Sequence, residues 1–369
     1  MDTRGQRVNA HDGSLVRVNG TFYLFGTVYE ACVQPGPVCD GRCGYVGNVF
    51  AAYASPTMAN GSWELLSDNI LPALKTDNTR VSYWEANVNF NRHTGLWVMV
   101  YWSGHYGFHT RFVAVATARS PAGPFVNQRP LAVAGAQTLV SDTVALWVDE
   151  DAATGQQTAY LRYNTFSVPR RHVVERLDAA WLHTTGDLGV IFAKPDFPWY
   201  DGGGMFWRGA TYYAMLSFDC CFCQWGSDAL VFTAPAALGP WTPQRAAALD
   251  AAPVPPANWT NEVNPCADGR KPPATVPDFH INPCSQADVQ GTNFTVPAQQ
   301  FGVATLPGVR LAGSADPGPL LLYFGENFRS APDGLKAHDL QTWIPLAFDA
   351  AGRLARMAML PSFTIEVDR

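Results

Sequence analysis

The stretch TGLWVMVYW, residues 94–102, sets a turn against an alternating run of aromatic and aliphatic side chains, and the chain repeats that phrase. It returns as NGTFYLFGT from Asn19, QQTAYLRYN from Gln156, RGATYYAMLS from Arg208 and PLLLYFGEN from Pro319. Period-2 patterning, aromatic and β-branched enrichment and closely spaced Gly and Pro read as antiparallel strands. After four of the five comes an apolar strand ending in a turn, as in FAAYASPTMANGSW from Phe50, FVAVATARSPAGPF from Phe112 and ALVFTAPAALGPW from Ala229. No window carries a long amphipathic helix with caps. Five copies of a several-strand unit predict an all-β chain folded as a five-bladed β-propeller, whose radial repetition protects the sheet edges. A two-sheet sandwich would leave the repeated phrases unexplained. We expect one domain over residues 1–369, interrupted at about 251–298 by a surface insertion rich in Pro and Asn between the fourth and fifth blades.

The 369 residues carry 25 Lys+Arg against 31 Asp+Glu, a formal net charge of −6, with 47% hydrophobic, 12% aromatic and 15% charged residues. Such a chain can bury a large core and is far from a disordered composition. A nucleic-acid partner needs clustered Lys and Arg, and Arg170-Arg171-His172 is the one tight basic group. No run approaches the ~18 apolar residues of a membrane span. No signal peptide is visible after Met1, yet four N-x-[ST] sequons at Asn19, Asn60, Asn258 and Asn293 lie beside turn-forming residues. The eight cysteines cluster as Cys32, Cys39 and Cys43; Cys220, Cys221 and Cys223; Cys266 and Cys284. No paired CxxC and no HExxH supports zinc, so disulfides in a secreted glycoprotein are expected and no metal is assigned.

Four phrases put acidic or amide groups at the entry of a unit's first strand, where a propeller brings them to one central funnel. They are His11-Asp12-Gly13-Ser14, Trp84-Glu85-Ala86-Asn87, Ser141-Asp142-Thr143-Val144 and Tyr200-Asp201-Gly202-Gly203-Gly204. Carboxylates converging among aromatics suit glycosidic hydrolysis, which needs a protonated acid for the leaving oxygen and a carboxylate to activate water. A third carboxylate nearby raises the acid's pKa by repulsion. Taken singly, Asp before Gly is more often a turn former than a catalyst. Trp84, Trp102, Trp199 and Trp225 could stack sugars, although most Trp residues are core. His105, Tyr106 and Glu326 complete the substrate-contact candidates.

AHDGSLVRVNGTFYLFGT, from Ala10, resembles the opening blade of glycoside hydrolase family 43, where a His-Asp-Pro-Ser phrase carries the general base. WEANVNFNRHTGLWVMVY is similar to the family's second blade, VSDTVALWVDEDAATGQQTAYL to the third with its pKa-modulating Asp, and DGGGMFWRGATYYAMLS to the fourth with its acid Glu. The likeness covers the chain outside Ala251–Ala298 and lies nearest the exo-β-1,3-galactanase branch, through AQQFGVATLPG from Ala298, YFGENF from Tyr323 and TWIPLAFDAAGRL from Thr342. In that branch the blade-one Asp is usually Gly and a Gln stands near the attacking water; Gln299 falls on that Gln, and Asp12 is present as well. Asp201 replaces the acid Glu, Gly203 replaces the Pro of its motif, the modulator position falls on Thr143 with Asp142 one residue early, and Glu85 is one residue late, with Trp84 on the branch's Glu position.

The resemblance implies inverting hydrolysis of a galactan or arabinogalactan-type polysaccharide, with Asp12 as base, Asp201 as acid, Asp142 as modulator, Gln299 orienting the water and Glu85 close by. No cofactor is required; the cation that some members hold near the propeller centre is assigned to no residue here. The alternative reading is a catalytically degenerate carbohydrate-binding propeller. A matrix interaction module would instead show a plugged funnel and an exposed apolar patch. A fructoside-acting relative would want a Glu-Cys-Pro phrase that the chain lacks.

Overall fold

The computed structural model describes residues 1–30, 32–33, 48–72, 81–105, 111–135, 140–151, 153–165, 171–193, 200–218, 230–244, 298–355, 357 and 360–368. The first blade is β1 (His11–Val18), β2 (Thr21–Val28), β3 (Val49–Ser55) and β4 (Glu64–Ser67), in that spatial order. The second is β5 (Val81–Asn91), β6 (Leu96–His105), β7 (Arg111–Ala118) and β8 (Val126–Pro130). The third is β9 (Val140–Glu150), β10 (Gln157–Thr165), β11 (Arg171–Leu177) and β12 (Thr184–Ala193). The fourth is β13 (Tyr200–Arg208), β14 (Thr211–Phe218), β15 (Leu230–Ala234) and the short β16 (Thr242–Pro243). Then come β17 (Gln299–Leu306), β18 (Val309–Leu311), β19 (Leu320–Asn327), β20 (Leu340–Pro345) and β21 (Ile365–Val367). Of these, β17, β19 and β20 form the fifth blade, and β18 pairs with β21 in a separate ribbon. All pairings within the blades are antiparallel, and the first strands touch in the cyclic order β1, β5, β9, β13, β17 and back to β1. The chain is a five-bladed propeller.

The five repeated phrases are the hairpin turns and second strands of the five blades. Asn19 and Gly20 take φ of +49° and +82° between the paired Val18 and Thr21, the all-positive backbone that suits a two-residue hairpin. The run LWVMVYW is apolar throughout because β6 is buried on both faces. Trp97, Met99 and Tyr101 enter the core shared with blade one, while Val98, Val100 and Trp102 enter the core shared with blade three. The period of two therefore sorts side chains between two seams, not between core and solvent. Each seam has its own cluster: Trp147 with Met205 and Phe232 joins blades three and four, Phe206 with Tyr323 joins four and five, and Phe22 with Leu322 joins five and one. That last seam is where the two ends of the repeat meet. Side chains reinforce it, since Arg17 donates to the carbonyls of Pro307 and Asp368 at 2.7 and 3.1 Å, and Gln341 donates to that of Ala10.

Among the described residues no helix is long and apolar enough to cross a membrane. The insertion expected at about 251–298 lies outside the described residues, Ala298 excepted, as do all the cysteines but Cys32.

Candidate active site

Every first strand breaks register at its entry. In β1, Asp12 and Gly13 stand between the paired residues His11 and Ser14; in β5, Glu85 and Ala86 stand between Trp84 and Asn87; in β13, Gly202 and Gly203 stand between Asp201 and Gly204. In each case two residues oppose one on the partner strand, and the first of the two has φ near +55°: +51° at Asp12, +57° at Glu85 and +56° at Gly202. A bulge of this kind ordinarily takes glycine first, because a Cβ in the left-handed region costs roughly 1–2 kcal/mol. Blades one and two place carboxylates there instead, and strain kept at such positions is a mark of function. In β9, Ser141 to Thr143 loop out between Val140 and Val144, and β17 shifts register between Gln300 and Gly302. The residues that follow the bulges, among them Ser14, Asn87, Ala145, Gly204 and Gly302, line a narrow cavity on the propeller axis.

At the seam of blades five and one, ionisable groups are packed out of water. Tyr29 donates its hydroxyl to Asp12 Oδ2, and Asp12 Oδ1 is buried without a hydrogen-bond partner among the described residues. His11 Nδ1 lies 2.9 Å from Glu326 Oε2, and Lys336 Nζ bonds Glu326 Oε1. Burial, then the Glu326 charge, pushes the Asp12 carboxyl up to about 6, against the opposing pull of Lys336, His11 and the Tyr29 hydroxyl. Burial would raise Glu326 too, but His11 and Lys336 hold it below its ordinary value. Glu326 is therefore the ionised partner, a carboxylate that only accepts, so His11 carries a proton on Nδ1.

Between blades two and three, Glu85 accepts from the Val144 amide at 2.5 Å, and Asn87 Nδ2 donates to the carbonyls of Glu85 and Val144 at 2.9 Å each. The Glu85 carboxylate is thus tied to the loop that holds Asp142 and Thr143. Thr143 donates to Asn164 Oδ1 at 2.9 Å and accepts from Arg162 Nη1 at 3.2 Å. Arg162 Nη2 is 2.7 Å from His172 Nδ1, and burial followed by the guanidinium charge drives the His172 pKa well down, leaving a neutral acceptor. The same guanidinium reaches blade four, where a Cβ on Gly203 would lie 3.3 Å from Arg162 Cζ and 2.2 Å from the Met215 carbonyl oxygen. Gly203 also has φ +121°, so only glycine fits between them.

The structure brings Asp12 and Glu326 into one cluster and sets Gln299 opposite Glu326 in the β17–β19 ladder. Glu85 belongs to the neighbouring group. Asp142 lies in the looped entry of β9 and Asp201 pairs with Ser217 just before its bulge, in step with His11 and Trp84, not with Asp12. The side chains of Asp142, Asp201 and His105 are outside the described residues, and so are Tyr106 and Trp225. Trp84 and Trp102 stack on each other at 4.6 Å between centroids in the seam of blades two and three, where Trp102 is wholly buried. Glu326 is also wholly buried, its two oxygens taken by His11 and Lys336. Sequence reading missed Tyr29, Lys336, Arg162 and His172. None carries a motif, although a lysine in the apolar-flanked GLKAHD phrase of a lysine-poor chain was a signal. Among the described residues no three His, Cys, Asp or Glu side chains are grouped to hold a metal.

The sequence matches the family model of glycosyl hydrolases family 43 over residues 6–261. No curated protein sequence matches it. Similar solved structures include a family 43 β-1,3-galactosidase determined with galactodeoxynojirimycin, at TM-score 0.66 and 18% identity, covering 98% of this chain and 97% of that one. An exo-β-1,3-galactanase from Phanerochaete chrysosporium with β-1,3-galactotriose gives 0.60 and 18%, covering 98% and 65%. An exo-β-1,3-galactanase from Clostridium thermocellum gives 0.62 and 16%, covering 96% and 63%. This chain therefore spans under two thirds of the length of the two galactanases.

Proposed function

We propose that this chain, which belongs to glycosyl hydrolases family 43, is a glycosidase that removes galactosyl units from a galactan or arabinogalactan-type polysaccharide with inversion. Membership of the family supports glycosidase chemistry. The galactose reading is supported by the similar solved structures, a β-1,3-galactosidase and exo-β-1,3-galactanases, one of them with a galactotriose ligand.

The observation that carries the mechanism is Asp12: a buried carboxylate on a strained bulge, one oxygen held by Tyr29, the other without a described partner, with a pKa near 6. A general base works best when its pKa lies close to the operating pH. In the proposed step Asp12 takes a proton from water as the water oxygen attacks the anomeric carbon. The glycosidic C–O bond breaks, and Asp201 gives its proton to the leaving oxygen. Gln299 orients the water, Asp142 tunes the acid, and Glu85 contacts sugar or acts as a second modulator. Inversion needs the acid and base roughly 6.5–9.5 Å apart.

The exposed turn positions of Asn19 and Asn60, both sequons, support our further reading of a secreted glycoprotein. The test is hydrolysis of β-1,3-galactan and a panel of aryl glycosides by wild type, Asp12→Asn and Asp201→Asn, with NMR identifying the anomer first released. Turnover lost in both folded variants, with inverted product, supports the reading. Turnover that survives Asp201→Asn discards the acid, and a retained anomer discards the mechanism.

A further inference from the structure

Lys336 is an ammonium with almost no solvent contact, in the 3-10 turn Lys336–His338 that follows β19. Its Nζ lies 4.4 Å from the Tyr29 ring centroid and 4.2 Å from that of Phe328. It bonds Glu326 and is 3.3 Å from Asp339 Oδ2. The backbone holds the turn as firmly: the Lys336 amide donates to the Cys32 carbonyl at 2.9 Å, Leu335 pairs with Val33, and Asp339 accepts from the amides of Arg329 and Ala331 at 3.1 Å each. A buried lysine is costly, and substitution of such an ion pair by apolar side chains is often neutral or stabilising. Stability alone therefore does not account for it.

We propose that Lys336 is the positioning residue of the blade-one base, acting on Asp12 by two routes that meet at the β1 bulge. On one side the ammonium holds Glu326 against His11, the residue bonded to Asp12 in the chain. On the other it lies against the ring of Tyr29, whose hydroxyl holds Asp12 Oδ2. The inference rests on Asp12 being the base. The groups facing this centre are His11 and Asp12 from β1, Tyr29 after β2, Glu326 from β19, and Lys336 and Asp339 from the turn. Glu326 and Lys336 push the Asp12 carboxyl in opposite directions, and Lys336 itself is held above its ordinary value by Glu326, Asp12 and Asp339 despite its burial. Without the ammonium, only His11 and Tyr29 would oppose burial and the Glu326 charge, and Asp12 would stay protonated to higher pH.

The test needs no substrate. The unfolding midpoint of wild type minus that of Asp12→Asn, followed from pH 4 to 8, reports the Asp12 titration. The same difference is measured in a Lys336→Met background and in a Glu326→Gln background. The inflection should rise by about one pH unit or more with Lys336→Met and fall with Glu326→Gln, since an opposite charge close by moves a carboxyl by about 1–3 units. Opposite shifts are not expected of two merely structural substitutions. An inflection unmoved in both backgrounds, or moved the same way, overturns the proposal. If Lys336→Met does not fold, Lys336→Gln and Glu326→Gln carry the same comparison. For enzyme that turns over, the acid limb of kcat/KM should move with the inflection. Turnover unaffected by Asp12→Asn, with the inflections shifting as stated, would instead refute the base assignment and leave the Lys336 coupling standing.

Discussion

The entries of the first and fourth blades share a backbone and differ in chemistry. Asp12 and Gly202 are both the first residue of a two-against-one bulge, with φ of +51° and +56°. Blade one puts its carboxylate on the strained residue itself and surrounds it with Glu326, Lys336, His11 and Tyr29. Blade four leaves glycine at the strained position, shifts its carboxylate back to Asp201, and receives the Arg162 guanidinium across the seam against Gly203. The first setting raises a carboxyl and the second brings a fixed positive charge against the bulge at Gly203, so the entries of two equivalent strands offer different electrostatic settings. Divergence of that kind is what separates an acid from a base. A raised Asp12 suits a base working near neutrality.

The comparison breaks most visibly in turnover. Asp12→Asn should lower kcat/KM by about 10²–10⁴-fold, the range for loss of a general base. Asp201→Asn should cost less on an aryl galactoside with a good leaving group than on galactan, because an acid matters least where the leaving oxygen needs no proton. Equal losses on both substrates would deny the two aspartates different roles. Next in size is Trp102→Ala. The ring is wholly buried against Trp84, so about 3–5 kcal/mol of stability should be lost. Affinity for galactose, measured on protein that remains folded, should not change; a selective loss of affinity would make Trp102 a sugar platform after all.

Asp12 also makes a stability prediction whose sign follows from burial. Its folded pKa, near 6, lies above the ordinary 3.8, so folding favours the protonated form. That contribution is complete below about pH 4 and is lost as the pH rises through 6. By pH 7 the ionised carboxylate costs up to about 3 kcal/mol. Asp12→Asn should therefore unfold at a higher temperature than wild type at pH 7, and with little difference at pH 4. If turnover needs Asp12, as proposed, a residue that destabilises the fold fits the strain kept at its backbone.

The propeller was legible because its signal is repeated. Each phrase such as NGTFYLFGT marks a second strand, and five weak marks in order leave few alternatives. The entry carboxylates were legible as candidates, since Asp12, Glu85, Asp142 and Asp201 all fall at first-strand entries. What local patterning concealed was register and environment. Whether Asp201 matches Asp12 or His11 depends on where two residues bulge against one, which pairing with β14 decides. That Trp102 is core and Glu326 an ion-pair partner depends on the facing blade. Lys336 lies ten residues beyond Glu326 and more than three hundred from Asp12, so only the closing of the ring between blades five and one brings the three together.

The smallest expected effect bears on the bulge itself. If the left-handed first residue is a backbone requirement common to blades one, two and four, then Gly202 is replaceable by a residue that tolerates that conformation, and Gly203 is not. Gly202→Asn should cost about 1 kcal/mol, since Asn enters the left-handed region more readily than other residues and Asp12 and Glu85 already occupy it in the sister blades. Gly203→Ala should cost distinctly more, because its Cβ would fall 2.2 Å from the Met215 carbonyl oxygen on a backbone at φ +121°. Urea unfolding of the two variants side by side makes the check. Equal destabilisation would mean that the fourth-blade bulge is not the equivalent of the first, and the register that sets Asp201 in step with His11 would have to be redrawn.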